Sequence, residues 1–189
     1  MTDTVCVHCI NTNEYKEVPV GIKLVKLIEV FGVKMPYLIT NAKVNNKTES
    51  LNYQVFRPRT VEFVDISQSS AMRIYVRSLC FILAKAVDDV LPDANMYIEH
   101  AVARGYYFKI EAEVPVGEAE MNKICARMHE IVDADLPFVQ VEKETDEVVK
   151  LFRERRMEDK ALLLETSDLM YARYSKLGDY IDYFYGCLT

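Results

Sequence analysis

Two successive α+β domains are predicted for this 189-residue chain from three observations. Residues 5–10 and 15–20 alternate apolar and polar side chains with period two, as strands with one buried face do. Residues 71–91 and 117–132 instead repeat apolar side chains at helical spacing. Further short apolar runs, bounded by Gly, Pro and Asn, leave strands and helices clustered within each half, the pattern of antiparallel sheet with packed helices.

The strand at 5–10, a turn at 11–13 and the strand at 15–20 make a hairpin, and Gly21 punctuates it. Leu24, Leu27, Ile28 and Phe31 predict a helix over 23–31, with Gly32 where a helix C-terminus turns left-handed. Strands at 38–44 and 60–64 follow, separated by the polar turn NNKTES at 45–50. Strand, strand, helix, strands within about 65 residues is the order of a ubiquitin-like β-grasp, assigned to residues 1–66.

The second domain, 67–189, opens with the polar run SQSS, a linker and N-cap for a helix over 71–91 that is apolar almost all round and hence buried. Strands near 96–98 and 106–113 lead to a helix over 117–132 with the stripe Met121, Ile124, Cys125, Met128 and Val132. A strand at 138–141 precedes a helix over 146–155, capped by Thr145, with acids in its first turn and arginines in its last. Residues 160–164 read as a strand, and 171–185 are rich in tyrosine.

Half of the residues are apolar and 28% are charged, which is enough to build a core. A net charge of −6 opposes a broad electrostatic grip on nucleic acid, so RNA contact would be local and no DNA partner is expected. Residues 1–17 lack a basic stretch followed by an apolar run, and no stretch approaches the roughly 18 apolar residues of a membrane span. Five irregularly spaced cysteines suit reduced thiols, and a cytoplasmic location is expected.

Residues 77–111 run as an apolar helix, Pro92, a strand ending in Glu99-His100, and then Gly105-Tyr106-Tyr107-Phe108. This succession, with Arg127-Met128-His129-Glu130-Ile131 and Asp135-Leu136-Pro137-Phe138 further on, resembles the second additional (editing) domain of threonyl-tRNA synthetases. The preceding segment from Leu38 to Ser67 resembles the closing half of a TGS domain, which that family places in the same order. The family's editing site carries His-x-x-x-His on the helix and Asp-x-Cys-x-x-x-His near the end. In this chain the histidine positions are Arg77 and Phe81, the Cys position is Phe184 and the last His position is Leu188. Guanidinium, phenyl and isobutyl groups neither ligate a metal nor carry a proton near neutral pH, so the resemblance implies a scaffold without catalytic residues.

The resemblance also implies what remains of a ligand pocket. Lys160 and Asp182 match a lysine and its acidic partner, Phe108 stands where a tyrosine is usual, and Glu99-His100 replace Gly-Pro. Two readings stay open: Arg77 and Lys160 form a cationic recess for a small anionic ligand, or Arg77 pairs with Asp182 or Glu99 inside a filled cavity. No metal is expected. Cys6 and Cys9 flank His8 on a strand that sends them to opposite faces, and Cys125 with His129, four apart on a helix, needs no ligand role. Arg153, Arg155, Arg156 and Lys160 make a basic run that could touch RNA, but Arg153 and Arg156, three apart, read as a solvated face answered by Glu154 and Glu158.

A TGS domain joined to an editing-like domain without its ligands also resembles the N-terminal region of a bacterial nucleoside (uridine) kinase family. That resemblance implies a regulatory or ligand-sensing module whose partner is its own C-terminal P-loop kinase domain, with ATP and Mg bound there and no cofactor in this stretch, which has no phosphate-binding Gly-rich loop. The alternative is part of a threonyl-tRNA synthetase with lost or altered editing. RNA binding is a further expectation.

Overall fold

A computed structural model gives the structure of the chain, describing residues 3–103, 105–113, 115–184 and 186–189. The fold is α+β and divides into two compact units, Met1–Ser78 with Tyr185–Thr189, and Leu79–Phe184. The division falls inside a long helix, whereas composition placed the junction at the polar run ahead of it.

In the first unit, β1 (Thr4–Cys9) and β2 (Glu14–Pro19) form the expected antiparallel hairpin. Alternation along β1 buries Val5, Val7 and Cys9 and leaves Cys6 and His8 on the outer face. After β3 (Ile22–Lys23), helix α1 (Leu24–Phe31) buries Leu24, Leu27 and Phe31 and ends at Gly32, whose φ of 62° admits the left-handed cap. Then come β4 (Ile39–Val44), β5 (Lys47–Ser50), β6 (Gln54–Val55) and β7 (Arg59–Asp65). The main sheet has the order β2-β1-β7-β4-β5, with β1 and β7 parallel, and β3 pairs with β6. This is the strand order of the β-grasp. Asn11 completes it, its side-chain amide donating to the Phe63 carbonyl at 3.0 Å while its oxygen accepts from Phe63 N–H at 2.7 Å.

The segment expected to be one polar turn is a hairpin. Asn45 and Asn46, at φ 48° and 66°, make a two-residue turn, and Lys47–Ser50 pairs along β4. Consecutive positive φ angles are tolerated by Asn, and strand pairing does not require apolar side chains at a sheet edge.

Helix α2 (Ser69–Val90) carries the chain into the second unit. There β8 (Asn95–Val102) and β9 (Gly105–Glu111) form an antiparallel hairpin. Helix α3 (Glu118–Asp133) follows, then β10 (Phe138–Glu144), α4 (Thr145–Glu154), α5 (Glu158–Glu165), β11 (Tyr171–Leu177) and β12 (Tyr180–Asp182). Strands β10, β11 and β12 form an antiparallel sheet, and Val148, Phe152, Ala161, Leu164, Tyr174 and Ile181 belong to one core. Tyr185, in the tyrosine-rich run, lies outside the described residues.

Three local expectations are corrected. The buried positions of α3 are Ile124 and Ile131, with Cys125 and Val132 exposed, because the stripe follows 121, 124, 128 and 131. Thr145 makes no side-chain cap, since its hydroxyl donates to the Leu169 carbonyl across the unit. Residues 160–164 are helical: Ala161 and Leu164, three apart, are buried while Leu162 and Leu163 face out, and Glu, Lys, Ala and Leu are strong helix formers.

Candidate functional site

Asp182 is the most constrained acid of the second unit. It sits at the end of β12, in register with Ser175 of β11, and is 2% exposed. Its carboxylate pairs with the Lys160 ammonium from α5, accepts from the Tyr180 hydroxyl at 3.0 Å and accepts from the Tyr183 backbone N–H at 2.6 Å. Burial pushes the Asp182 carboxyl above the ordinary aspartate range, while Lys160 and the two other donors pull against that rise. Burial likewise raises the Tyr180 phenol, with the Asp182 charge adding to it, so Tyr180 stays a neutral donor. A carboxylate whose lone pairs are taken by its own chain is an anchor rather than an exposed base.

Beside this anchor lies an aromatic cluster. Phe81 of α2 is 0% exposed and its ring meets Phe184 at 5.1 Å, Tyr180 at 5.5 Å and Phe138 at 5.6 Å between centroids. Phe81 and Phe184 are two of the positions where the sequence lacks the expected imidazole and thiol, and the fold brings them into direct contact. What they share is an apolar, close-packed volume with no lone pair to offer.

The other two such positions belong to the first unit. The Arg77 guanidinium donates to the Cys187 carbonyl at 3.2 Å, and Leu188 is 5% exposed. Gly186 allows this approach: φ is 94°, and a Cβ there would stand 2.7 Å from Arg77 Nη1. Thr189 continues the same docking, its N–H donating to Ser78 Oγ at 2.9 Å and its hydroxyl to the Thr40 carbonyl at 2.6 Å. Burial raises the Cys187 thiol, and the Arg77 charge opposes the rise.

Glu99, His100 and Phe108 lie together on the β8–β9 hairpin. Glu99 is the extra residue where the register shifts between Ile98 and His100, both Glu99 and His100 are exposed, and the His100 ring lies 5.4 Å from Tyr107. Among the described residues no cluster of three His, Cys, Asp or Glu has metal-holding geometry. Cys6 and Cys9 are free thiols on opposite faces of β1, and His8 stacks on Tyr15 at 4.2 Å. Arg153 pairs with Glu158 and Glu165, and Arg156 with Asp93, so this basic run is answered by acids partly other than those expected. No helix among the described residues is long and apolar enough to cross a membrane.

Sequence reasoning missed two polar centres. Tyr180 had counted only as part of a tyrosine-rich run. Lys85, 3% exposed, pairs with Asp89 at 3.1 Å and Asp179 at 2.7 Å from within a helix read as apolar. The available signal was Asp89 four residues after Lys85, a spacing that favours an ion pair.

No protein-family model matches the chain. The threonine–tRNA ligase of Syntrophomonas wolfei is 27% identical over 169 residues, covering 88% of this chain and 26% of that protein. That of Clostridium kluyveri is 24% identical over 168 residues, again 88% and 26%. That of Marinobacter nauticus is 28% identical over 144 residues, 74% and 22%. The chain is similar to one part of threonine–tRNA ligases. It spans about a quarter of the length of these curated relatives.

Proposed function

We propose that the chain is a tRNA-binding module of the threonyl-tRNA synthetase type, a TGS domain followed by an editing-like domain that holds its shape but does not hydrolyse aminoacyl-tRNA. The observation that carries this is the Phe81–Phe184 contact, which fills with two phenyl rings the place the resemblance assigns to a histidine and a cysteine. Water activation needs a lone pair or a metal-bound hydroxide, and aromatic carbon supplies neither. Similarity to threonine–tRNA ligases across most of both units supports the tRNA part. The relatives named above favour this reading over a regulatory module of a nucleoside kinase, so ATP, Mg and a C-terminal kinase partner form no part of it.

The test uses the 189-residue chain with deacylated tRNA and with seryl-tRNA. The expected result is binding that weakens as salt rises, together with seryl-tRNA hydrolysis no faster than in buffer. Catalysed hydrolysis would overturn the non-hydrolytic assignment, and absence of binding at low salt would overturn the tRNA assignment.

A further inference from the structure

The two units differ in charge. The first carries ten Lys and Arg against seven Asp and Glu, and the second thirteen against twenty-two. Within the first unit most acids are neutralised locally: Glu14 by Lys16, Glu29 by Lys26, Glu62 by Lys43 and Glu49 by Lys47. Among the described residues the exposed Lys23, Lys34, Arg57 and Arg73 make no such pair.

Lys23 shares a face with an exposed aromatic ring, Phe56, and Arg57 follows that ring in sequence. In the β3–β6 ribbon Ile22 is in register with Val55 and Lys23 with Gln54. Val55 is 0% exposed and faces the core, so alternation turns Gln54 and Phe56 outward, on the face that also carries Lys23. Phe56 is 60% exposed and so presents its ring to solvent. It is also held in position. Gly21, at φ 82°, donates its N–H to the Val55 carbonyl at 2.8 Å, and a Cβ on Gly21 would lie 3.5 Å from the edge of the Phe56 ring, so the ring rests over bare backbone. Lys23 Nζ is steadied by Asn52 Oδ1 at 3.4 Å, and Arg57 follows Phe56 directly.

We infer that the outer face of the β3–β6 ribbon is a single-stranded RNA contact, with a base stacked on Phe56 and adjacent phosphates on Lys23 and Arg57. A flat apolar face with one unpaired cation on the same face and another next in sequence matches a base with its backbone charges, the pairing on which single-strand binding rests. An apolar protein partner would gain nothing from unpaired cations near the ring, whereas a polyanion without bases would leave the ring uncovered. The site rests on the tRNA-binding reading above and gives it a place on the molecule.

The experiment measures fluorescence anisotropy of a labelled single-stranded oligoribonucleotide of about 12 nucleotides, titrated with the full chain. Phe56→Ala is expected to weaken binding by about tenfold or more, and Phe56→Tyr to leave it near wild type. Lys23→Gln with Arg57→Gln should lower the slope of log affinity against log salt by roughly 1.4, at about 0.7 for each phosphate no longer neutralised. Tyr15→Ala, at a ring 69% exposed on another strand, should change neither quantity. All four positions are exposed, so thermal unfolding should stay unchanged and distinguish weakened binding from unfolding. If wild type binds and neither Phe56→Ala nor the double variant differs from it, the site is overturned while the tRNA reading stands. Duplex RNA of the same length competing equally would overturn the stacking of a base on Phe56. If wild type binds neither this oligonucleotide nor tRNA, both readings fall together.

Discussion

Replacing Phe81 tests whether the aromatic cluster fills its volume or lines an open site. Phe81 is fully buried and meets three rings within 5.6 Å, so Phe81→Ala removes the largest apolar contribution of the cluster and leaves a void that Phe138, Tyr180 and Phe184 must collapse into. Deleting a buried phenyl costs about 3–5 kcal/mol, and each aromatic pairing accounts for about 0.5–1.5 kcal/mol within that range, so about 4 kcal/mol is expected. Phe81→His restores the residue type of the editing family at the same position. A neutral imidazole there keeps part of the volume but carries polar atoms into an apolar cluster, at about 1–3 kcal/mol for an unsatisfied group. Burial would depress its folded pKa, so the unfolded chain takes up the proton first and the variant loses stability as pH falls through about 6.5. Urea unfolding followed by far-UV circular dichroism and by tyrosine fluorescence, since the chain has no Trp, reports both quantities at pH 5 and pH 8. A cost below about 1 kcal/mol for Phe81→Ala, or a Phe81→His chain as stable as wild type at both pH values, would show that the position opens onto water and would refute the filled-site argument.

Gly186→Ala should destabilise by about 1–3 kcal/mol, because φ of 94° disfavours any Cβ and this one would displace the Arg77 guanidinium from the Cys187 carbonyl. Combining it with Arg77→Ala should recover the steric part only, giving a non-zero coupling in a double-mutant cycle of urea midpoints; strict additivity would refute the close approach of Arg77 to Gly186. Burial, the largest single influence on Lys85, lowers its pKa, but the hydrogen bonds and charges of Asp179 and Asp89 outweigh it and the net shift is upward. Its stabilising contribution is therefore fully present below the ordinary value of 10.5 and lost as pH rises through the folded pKa, whereas that of Asp179, whose pKa is lowered, is lost only on acidification below 3.8. Lys85→Met should accordingly lie within about 1–2 kcal/mol of wild type at pH 7, and the difference should shrink in stability measurements as pH rises beyond 10.5 through the folded pKa, which an unpaired Lys85 would not produce.

How much could be read in advance depended on the range of the interaction. The β1–β2 hairpin, α1 and its Gly32 cap were legible because alternation and a left-handed glycine are local. Lys47–Ser50 and residues 160–164 were misread because edge strands tolerate polar side chains and a run of leucines is compatible with either period. The site divides in the same way. The absence of the four expected side chains was visible position by position, and so was the Lys160–Asp182 pairing through the resemblance. What the replacements do instead was not visible, because it depends on contacts between distant residues: Phe81 against Phe138 and Phe184, and Arg77 against Cys187. Tyr180 was hidden for another reason. A tyrosine in a strand packs its ring by alternation, but nothing in the pattern says which carboxylate its hydroxyl meets.

Uneven charge constrains how such a chain can hold RNA. With twenty-two acids against thirteen bases, the second unit is net negative and opposes a phosphate backbone, and Arg153 and Arg156 of its basic run are already paired with carboxylates. In the first unit four of ten cations are paired with carboxylates, which limits the phosphates it can neutralise. Two or three phosphates give a log–log salt slope of only about 1.4–2.1 for a single strand. An interaction that salt does not screen adds to that electrostatic part, and stacking on an exposed ring is one this surface provides. A single phenyl at position 56 therefore outweighs any one lysine, which is why its removal, rather than charge reversal, is the discriminating change.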